Sequence, residues 1–167
     1  MRMIDVGAKP RTERVAVARG FVSMAPATLR ILRAGRAEKG DVVAAARLAG
    51  VMAAKRTPDI VPLCHPVALS GTEVEVIPRR GGVEVTATVR TVDRTGVEME
   101  ALLAVAAGCL TVYDMLKRYE RGMRIEAVEL IEKAGGRSGR WTRARGSGRT
   151  RARARAPRAR SGRTRAG

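Results

Sequence analysis

Residues 72–90 read TEVEVIPRRGGVEVTATVR, and this stretch decides the fold class. On each side of Gly81 and Gly82, apolar residues alternate with polar ones, most strictly over residues 83–90. Alternation with a period of two is typical of a half-buried β-strand, and a glycine pair between two such strands is typical of a tight hairpin turn. The stretch therefore predicts an antiparallel β-hairpin that turns one face towards a core.

The pattern on either side of the hairpin predicts five more elements. They are a strand at 15–22 with a bulge at Gly20, a helix that starts at Pro26 and stops at Gly35, a helix capped by Asp41 that runs to Arg56, a helix at 97–119, and a strand at 123–133 with broken alternation. The order β-α-α-β-β-α-β matches an α+β fold, the ferredoxin-like split βαβ sandwich, with helices on one face of an antiparallel sheet and one extra helix.

The helix expected over residues 41–56 is apolar nearly all round. A helix of this kind is buried on most of its sides, whereas a surface helix carries one apolar stripe. A single small subunit offers too little cover for it. The pattern is thus a first indication that a second subunit packs on this helix.

Composition narrows the class of protein. The chain has 167 residues, 45% of them apolar, with one Phe, two Tyr and one Trp, so the core must consist of Val, Leu, Ala, Ile and Met. Two cysteines without CxxC spacing and a single histidine exclude a zinc cluster and favour a reducing compartment. No apolar run approaches the roughly 20 residues of a membrane span, and the start lacks the apolar segment of a signal peptide. We expect a cytoplasmic protein of one domain that has no membrane partner.

The net charge of +17 is divided unevenly. Residues 137–167 contain twelve Arg and no acidic residue, while the other 21 basic residues face 16 acidic ones, which leaves the body at +5. A mildly basic body suits an anionic small-molecule substrate. For the tail we expect a disordered extension over 142–167, because nothing in it larger than Ala is aliphatic. Two alternatives stay open: non-specific attraction to polyanions, and a functional C-terminus that is missing.

The single histidine, His65, lies in the segment VPLCHP at 61–66. Pro62 and Pro66 fix their own φ and push the residues before them towards extended conformations, so the imidazole is held in place. A lone histidine is often only a satisfied, partly buried side chain. The segment begins six residues beyond a basic helix end, at Lys55, and this position favours contact of His65 with an anionic substrate or proton transfer near neutral pH.

The long helix carries Asp114 and Lys117, three residues apart and hence on one face. On a surface they would form an ordinary weak ion pair; in a pocket they would provide an acid and a base. Glu100 lies fourteen residues before Asp114, about 21 Å along a helix, which is too far for one nucleotide-sized ligand to bridge within a subunit. If both helix ends contribute to sites, each site must use two subunits.

Other candidates give weaker signals. A lone lysine is usually a solvated charge, and Cys64 is more often a small buried residue than a nucleophile. Cys109, inside the long helix, is expected in the core. The segment GGRSG at 135–139 is compatible with a phosphate-binding loop and equally with a flexible turn, because it lacks the Gly-Lys-Ser/Thr ending of a P-loop.

Six blocks in one order closely resemble the cyclic pyranopterin monophosphate synthase family of molybdenum-cofactor biosynthesis. They are KGDV (39–42), AAKRT (53–57), PLCHP (62–66), TGVEMEA (95–101), TVYDMLK (111–117) and KAGGRSG (133–139). The resemblance covers residues 3 to 141 and supports a synthase domain over 1–141. The arginine-rich tail after Trp141 has no counterpart in the family pattern.

The resemblance implies an activity and the residues for it. The reaction would convert 3′,8-cyclo-7,8-dihydroguanosine 5′-triphosphate into cyclic pyranopterin monophosphate and pyrophosphate, a lyase reaction. Asp114 and Lys117 match the catalytic pair. The family positions that contact substrate are matched by Leu63, Cys64, His65, Met99, Glu100, Lys39, Lys55 and Lys133.

The resemblance also implies the partners. It predicts a homohexamer, a trimer of dimers with active sites at the dimer interface, that works downstream of a radical SAM GTP cyclase. No cofactor is expected; magnesium could assist, but the sequence has no dedicated cluster for it. A nucleic-acid-binding module and an inactive scaffold remain alternatives, although few aromatic residues are available for base stacking.

Overall fold

The computed structural model describes residues 1–144. Its elements, in chain order, are β1 (Thr12–Ser23), α1 (Pro26–Arg33), α2 (Val42–Ala54), α3 (Thr57–Ile60), β2 (Leu69–Arg79), β3 (Gly82–Asp93), α4 (Glu98–Leu116), β4 (Arg124–Ala134) and β5 (Trp141–Thr142). All the helices and strands expected from the sequence are present; the short α3 and β5 are additional.

The five strands form one antiparallel sheet in the order β2-β3-β1-β4-β5. Placing β1 between β3 and β4 is the arrangement of the split βαβ unit, so the predicted ferredoxin-like α+β fold is confirmed. The hairpin β2–β3 is also confirmed: Arg79 pairs with Gly82, and Gly81 takes a φ of +81° in the turn, a conformation that glycine adopts at little cost.

The helices cover one face of this sheet. Alternate residues of β1 point into the core, where Ala16, Ala18 and Val22 are fully buried. Between them Gly20 lies under α4, since a Cβ there would come within 2.7 Å of Val105 Cγ1. The register of β1 against β4 shifts around Gly20, but the extra residue lies in β4, because Arg19 pairs with Glu129 and Phe21 with Glu126. The bulge predicted at Gly20 is therefore wrong in its strand, and Gly20 pairs regularly with Val85 of β3.

Helices α2 and α4 pack against each other in opposite directions. Gly50 approaches the carbonyl of Ala104, and Gly108 approaches that of Ala46, so the end of α2 lies beside the start of α4. Asp41 caps α2 as predicted, accepting a hydrogen bond from the Ala44 amide at 3.0 Å. The small residues at the contact allow the two helices to pack closely. Because the helices are antiparallel, the loop after α2 lies near the loop before α4.

Helix α4 is shorter than predicted: it ends at Leu116, whereas the pattern extended it to Tyr119. The amide of Tyr119 donates to the Leu116 carbonyl at 2.8 Å, which tightens the chain into a turn. By length and composition α4 is the one helix within residues 1–144 that could cross a membrane. It packs on the sheet and on α2, which is the setting of a core helix.

The last strands show two further departures. β4 contains Ala127 with a φ of 52°, which explains the broken alternation in the sequence as a bulge. β5 pairs with β4 through Trp141 and Thr142, and the Arg143 side chain donates to the Leu130 carbonyl at 2.8 Å. The rest of the predicted tail, residues 145–167, lies outside the described residues.

Candidate active site

The last turn of α4 brings together three charged side chains. Asp114 Oδ1 lies 2.7 Å from Lys117 Nζ, and its Oδ2 lies 2.6 Å from Lys39 Nζ. Lys39 arrives from the loop before α2, 75 residues away in sequence. The sequence pattern paired Asp114 with Lys117; the structure adds Lys39 to the same carboxylate.

The two ammonium groups act on the acidity of this carboxyl group. Hydrogen bonds from Lys117 and then Lys39 lower the pKa of Asp114 to about 2. In turn, the carboxylate raises the pKa of Lys117. The three side chains are about half exposed, so the cluster can reach a ligand. At neutral pH it therefore presents a carboxylate between two protonated amines.

A second cluster lies at the opposite end of α4. Here the 61–66 loop meets the start of the helix around a cavity of about 360 Å³. The cavity is lined by Leu63, Cys64, His65, Thr95, Gly96, Glu98 and Met99. The loop is held by its own backbone, because the Cys64 amide donates to the Val61 carbonyl at 3.0 Å and the Val61 amide to that of Thr57 at 2.9 Å. The structure thus brings His65 together with Met99, as the resemblance requires.

Glu100 lies beneath this cavity and is 2% exposed. The Cys64 thiol donates to its Oε1 at 3.5 Å, whereas Oε2 is buried without a hydrogen-bond partner within residues 1–144. Burial raises the pKa of Glu100, and burial together with the neighbouring Glu100 raises the pKa of Cys64 to about 11. A thiol of this kind stays protonated at neutral pH, which supports a packing and donor role for Cys64 over a nucleophilic one.

A third, larger cavity of about 530 Å³ adjoins the second and shares Thr95 and Gly96 with it. Its other lining residues are Lys9, Pro10, Thr12, Arg14, Arg94, Gly136, Arg137 and Ser138. Four of these are basic and none is acidic. Arg14 Nε and Thr12 Oγ1 are buried without a hydrogen-bond partner in the described part of the chain. The cavity is therefore suited to an anion with several oxygen atoms.

The glycine-rich loop forms one wall of this third cavity. Gly135, Gly136 and Gly139 have positive φ, and Lys133 contacts the hydroxyl of Ser138 just behind the loop. The loop therefore lies among basic side chains, which favours the phosphate-binding interpretation of this segment. The sequence pattern gives no signal for Lys9, Arg14 and Arg94, because only the pairing of β1 with β3, in which Thr12 lies opposite Asp93, brings these residues together.

Lys55 is an exposed residue at the C-terminal end of α2. The antiparallel packing of α2 and α4 puts it at the same end of the helix pair as Met99. Lys133 instead lies at the end of β4 and contacts Ser138 of the third cavity. The predicted substrate-contacting residues therefore fall into three groups: Lys39 lies beside Asp114, Lys133 lies beside the third cavity, and the other six lie at the end of the helix pair where α4 begins.

The Asp114 cluster and the group at the start of α4 are separated by the length of α4. Glu100 and Asp114 are fourteen residues apart on this helix, about 21 Å. The exposed side of the α2–α4 pair carries large apolar side chains: Leu48 is 64% exposed, Met52 43% and Leu110 60%. Exposed apolar residues on neighbouring helices are typical of a surface that another chain covers.

The described residues offer no ready metal site: in residues 1–144 no three side chains of His, Cys, Asp or Glu come close enough to hold an ion. The cations of the three sites are instead side chains of this chain.

Comparison with known proteins gives a consistent result. The model of the MoaC family matches residues 3–136. A protein from Thermomicrobium roseum is 61% identical over 144 residues, covering 85% of this chain and 87% of its own length. Proteins from Methylobacterium sp. (strain 4-46) and Novosphingobium aromaticivorans are 57% and 54% identical over 141 and 140 residues, covering 83% and 84% of this chain and 88% and 89% of their own lengths. All three are named cyclic pyranopterin monophosphate synthase.

Proposed function

Because this chain belongs to the MoaC family, we propose that it is a cyclic pyranopterin monophosphate synthase in molybdenum-cofactor biosynthesis. Its substrate is the cyclised GTP derivative 3′,8-cyclo-7,8-dihydroguanosine 5′-triphosphate, and its products are cyclic pyranopterin monophosphate and pyrophosphate. The observation that supports this proposal is the ion cluster at Asp114. Asp114 and Lys117 match the catalytic pair that the resemblance implies, and Lys39, which matches a substrate-contacting position, pairs with the same carboxylate.

The cluster supports the acid–base part of the reaction. Lys117 donates a proton as rings open and close, and Asp114 orients Lys117 or takes the proton back. With its pKa lowered, Asp114 stays ionised at neutral pH, raises the pKa of Lys117 and pairs with both lysine side chains. Lys117 therefore carries its proton before the substrate binds.

The second and third cavities support substrate binding. His65 and Lys133 hold phosphate oxygen atoms, and the third cavity, with Arg14 and Lys9, accepts the outer phosphates. An internal hydroxyl then attacks the innermost phosphorus; a new phosphorus–oxygen bond forms, and the bond to pyrophosphate breaks. Cations already in place stabilise the negative charge that develops on the leaving group.

The separation of the clusters supports a shared site. One subunit supplies Lys39, Asp114 and Lys117, and a second supplies the 61–66 loop and the start of α4. The exposed apolar residues on α2 and α4, such as Leu48 and Leu110, give the surface through which the subunits pair. The complete assembly in this proposal is a homohexamer, a trimer of dimers.

The remaining partners follow from the proposed chemistry. The chain receives its substrate from a radical SAM GTP cyclase in the cytoplasm, and it needs no resident cofactor; magnesium enters, if at all, with the triphosphate. The arginine-rich tail attracts polyanions non-specifically and takes no part in catalysis. Both cysteines of residues 1–144 are free thiols, which fits a reducing compartment.

The decisive experiment is turnover by the purified full chain. Incubation with the cyclised GTP derivative should give one cyclic pyranopterin monophosphate and one pyrophosphate per substrate. Chromatography with mass detection measures the first product, and a coupled phosphate assay measures the second. The Asp114→Asn variant is the matched control, since it keeps the shape of the side chain and removes its charge. An inactive wild-type oligomer that still binds the substrate would overturn the assignment.

A further inference from the structure

Two residues just beyond α4 hold the turn that carries Lys39. Residues 37–40 form this turn: the Gly40 amide donates to the Ala37 carbonyl at 3.0 Å, and Gly40 takes a φ of +99°. Glu38 and Lys39 are therefore its two central residues. The conformation of the turn determines where the Lys39 side chain begins.

Glu38 is held at both its backbone and its side chain. Its amide donates to the Tyr119 hydroxyl at 2.9 Å, and its carboxylate pairs with the Arg118 guanidinium. Arg118 and Tyr119 also line one small cavity together with Lys39. We call the contacts of Arg118 and Tyr119 with Glu38 the Glu38 clamp.

The clamp matters because, among the described residues, Lys39 is otherwise restrained only by its contact with Asp114 and by the Gly40–Ala37 hydrogen bond of its own turn. Its side chain is 51% exposed and belongs to a loop, yet its Nζ lies 2.6 Å from Asp114 Oδ2. A lysine with a flexible, half-exposed stem samples many rotamers unless its backbone is fixed. Because Glu38 is fixed at two points, Lys39 Nζ can occupy fewer positions.

We propose that Arg118 and Tyr119 are positioning residues for the reaction, which act by clamping Glu38 so that Lys39 occupies one oxygen of Asp114 and leaves the other to Lys117. This inference rests on the proposed function. Neither residue contacts Asp114 or Lys117 through its side chain in the contacts of the described structure. An exposed ion pair such as Arg118–Glu38 adds little stability, so its effect should be on activity.

The test uses three variants of the full chain: Tyr119→Phe, Glu38→Gln and Arg118→Gln. Loss of one hydrogen bond that holds a reacting group should lower kcat/KM roughly fivefold. Glu38→Gln and Arg118→Gln change the local charge in opposite directions. A purely electrostatic effect on the anionic substrate would therefore raise kcat/KM in one variant and lower it in the other, whereas the clamp predicts a fall in both.

Arg79→Gln is the matched control, because it also removes an exposed arginine–glutamate pair, Arg79 with Glu84, which belongs to the β2–β3 hairpin and includes no residue of the clamp. It should retain wild-type kcat/KM. Arg118→Lys, which can still pair with Glu38, should recover part of the activity. Unfolding temperatures of all variants should stay close to that of the wild type, which separates positioning from a general loss of structure.

A second readout does not depend on turnover. Brief acetylation with acetic anhydride, followed by peptide mass spectrometry, measures the reactivity of Lys39 against the exposed Lys55 in the same molecule. Release of Lys39 from Asp114 should raise its relative labelling several-fold in the clamp variants and leave it unchanged in Arg79→Gln. Unchanged labelling and unchanged kcat/KM, or opposite changes in the two charge variants, would overturn the inference. If the wild type proves inactive, the proposed function fails, and the labelling alone decides whether the clamp holds Lys39.

Discussion

The two ends of α4 carry the same functional group in opposite environments. At the C-terminal end, the Asp114 carboxylate is half exposed and bonded to two lysines, and its pKa is lowered to about 2. At the N-terminal end, the Glu100 carboxyl group is buried with one oxygen unpartnered, and its pKa is raised. Two carboxyl groups whose pKa values are shifted in opposite directions by their surroundings are typical of sites where each group has a separate role.

The two ends of α4 also differ in how they affect the stability of the fold. The ion cluster at Asp114 is solvated and is satisfied within one chain, so it costs the fold little. Glu100 and the basic third cavity leave buried polar atoms unsatisfied, which destabilises the isolated chain until a ligand or a partner subunit supplies the missing contacts. The polar groups at the C-terminal end of α4 are thus paired within the chain, whereas those at the N-terminal end include buried atoms without a partner in residues 1–144.

The largest effect is expected at the C-terminal end. Lys117→Ala should lower kcat by roughly 10²–10⁴-fold, the range for loss of a general acid or base. Product formation is measured in single-turnover assays, and circular dichroism with size-exclusion chromatography checks the fold and the assembly. Product yield at the wild-type level from this variant would remove Lys117 from the mechanism.

Mixing variants tests whether the two ends work across subunits. Co-refolding of Lys117→Ala chains with Glu100→Gln chains should restore about a quarter of the wild-type activity, because half of randomly paired dimers are mixed and each mixed dimer has one intact site. Each variant refolded alone is the control. If mixed oligomers, verified by mass spectrometry, stay inactive, the shared site between the clusters is wrong.

A smaller effect is expected at the 61–66 loop. His65→Ala should weaken substrate binding by on the order of 1.5–3 kcal/mol, the value of a charge-assisted hydrogen bond, and should slow chemistry less. Affinity is measured by calorimetry in a Lys117→Ala background, in which the substrate is not consumed. An unchanged affinity combined with a reduced kcat would instead assign His65 to proton transfer.

Glu100→Gln tests the cost of the buried carboxyl group. Because the pKa of Glu100 is raised by folding, its protonated form stabilises the fold below pH about 4.5, and this contribution is lost as the pH rises through the folded-state pKa. The variant should therefore melt a few degrees above the wild type at pH 8, and the difference should shrink in acid. Melting curves across this range measure it, with the exposed Glu73→Gln as control. A lower melting temperature at pH 8 would show that the charge is stabilised.

The smallest effect on activity is expected for the tail. Truncation after Ala144 preserves β5 and the Arg143 contact with Leu130, and it should leave turnover nearly unchanged. The same truncation should sharply reduce retention on polyanionic resins at low salt, because such binding scales with the number of cations. Both proteins are compared at near-physiological salt, where stray attraction of the tail to the substrate is screened. A large loss of activity in the assembled, truncated protein would place the tail at the site.

Much of the fold could be predicted because its signals act over a few residues. The alternation over residues 72–90 predicts the hairpin, Asp41 predicts the start of α2, and the broken pattern before Lys133 predicts the bulge in β4. The end of α4 could not be predicted in this way. The turn at Leu116–Tyr119 follows an apolar, helix-favouring run, and the contacts that end it lie in the loop at 36–39.

The sequence by itself determined the order of the elements, the family, and the identity of Asp114, Lys117 and His65 as candidates. Only the tertiary structure decided that Lys39 shares the Asp114 carboxylate, that Glu100 is buried with an unpartnered oxygen, and that Arg14 faces a cationic cavity. The reason is physical. Strand periodicity and helix caps depend on neighbours in the chain, whereas the pKa of a carboxyl group depends on burial and on charges that strand register and helix packing bring from distant positions.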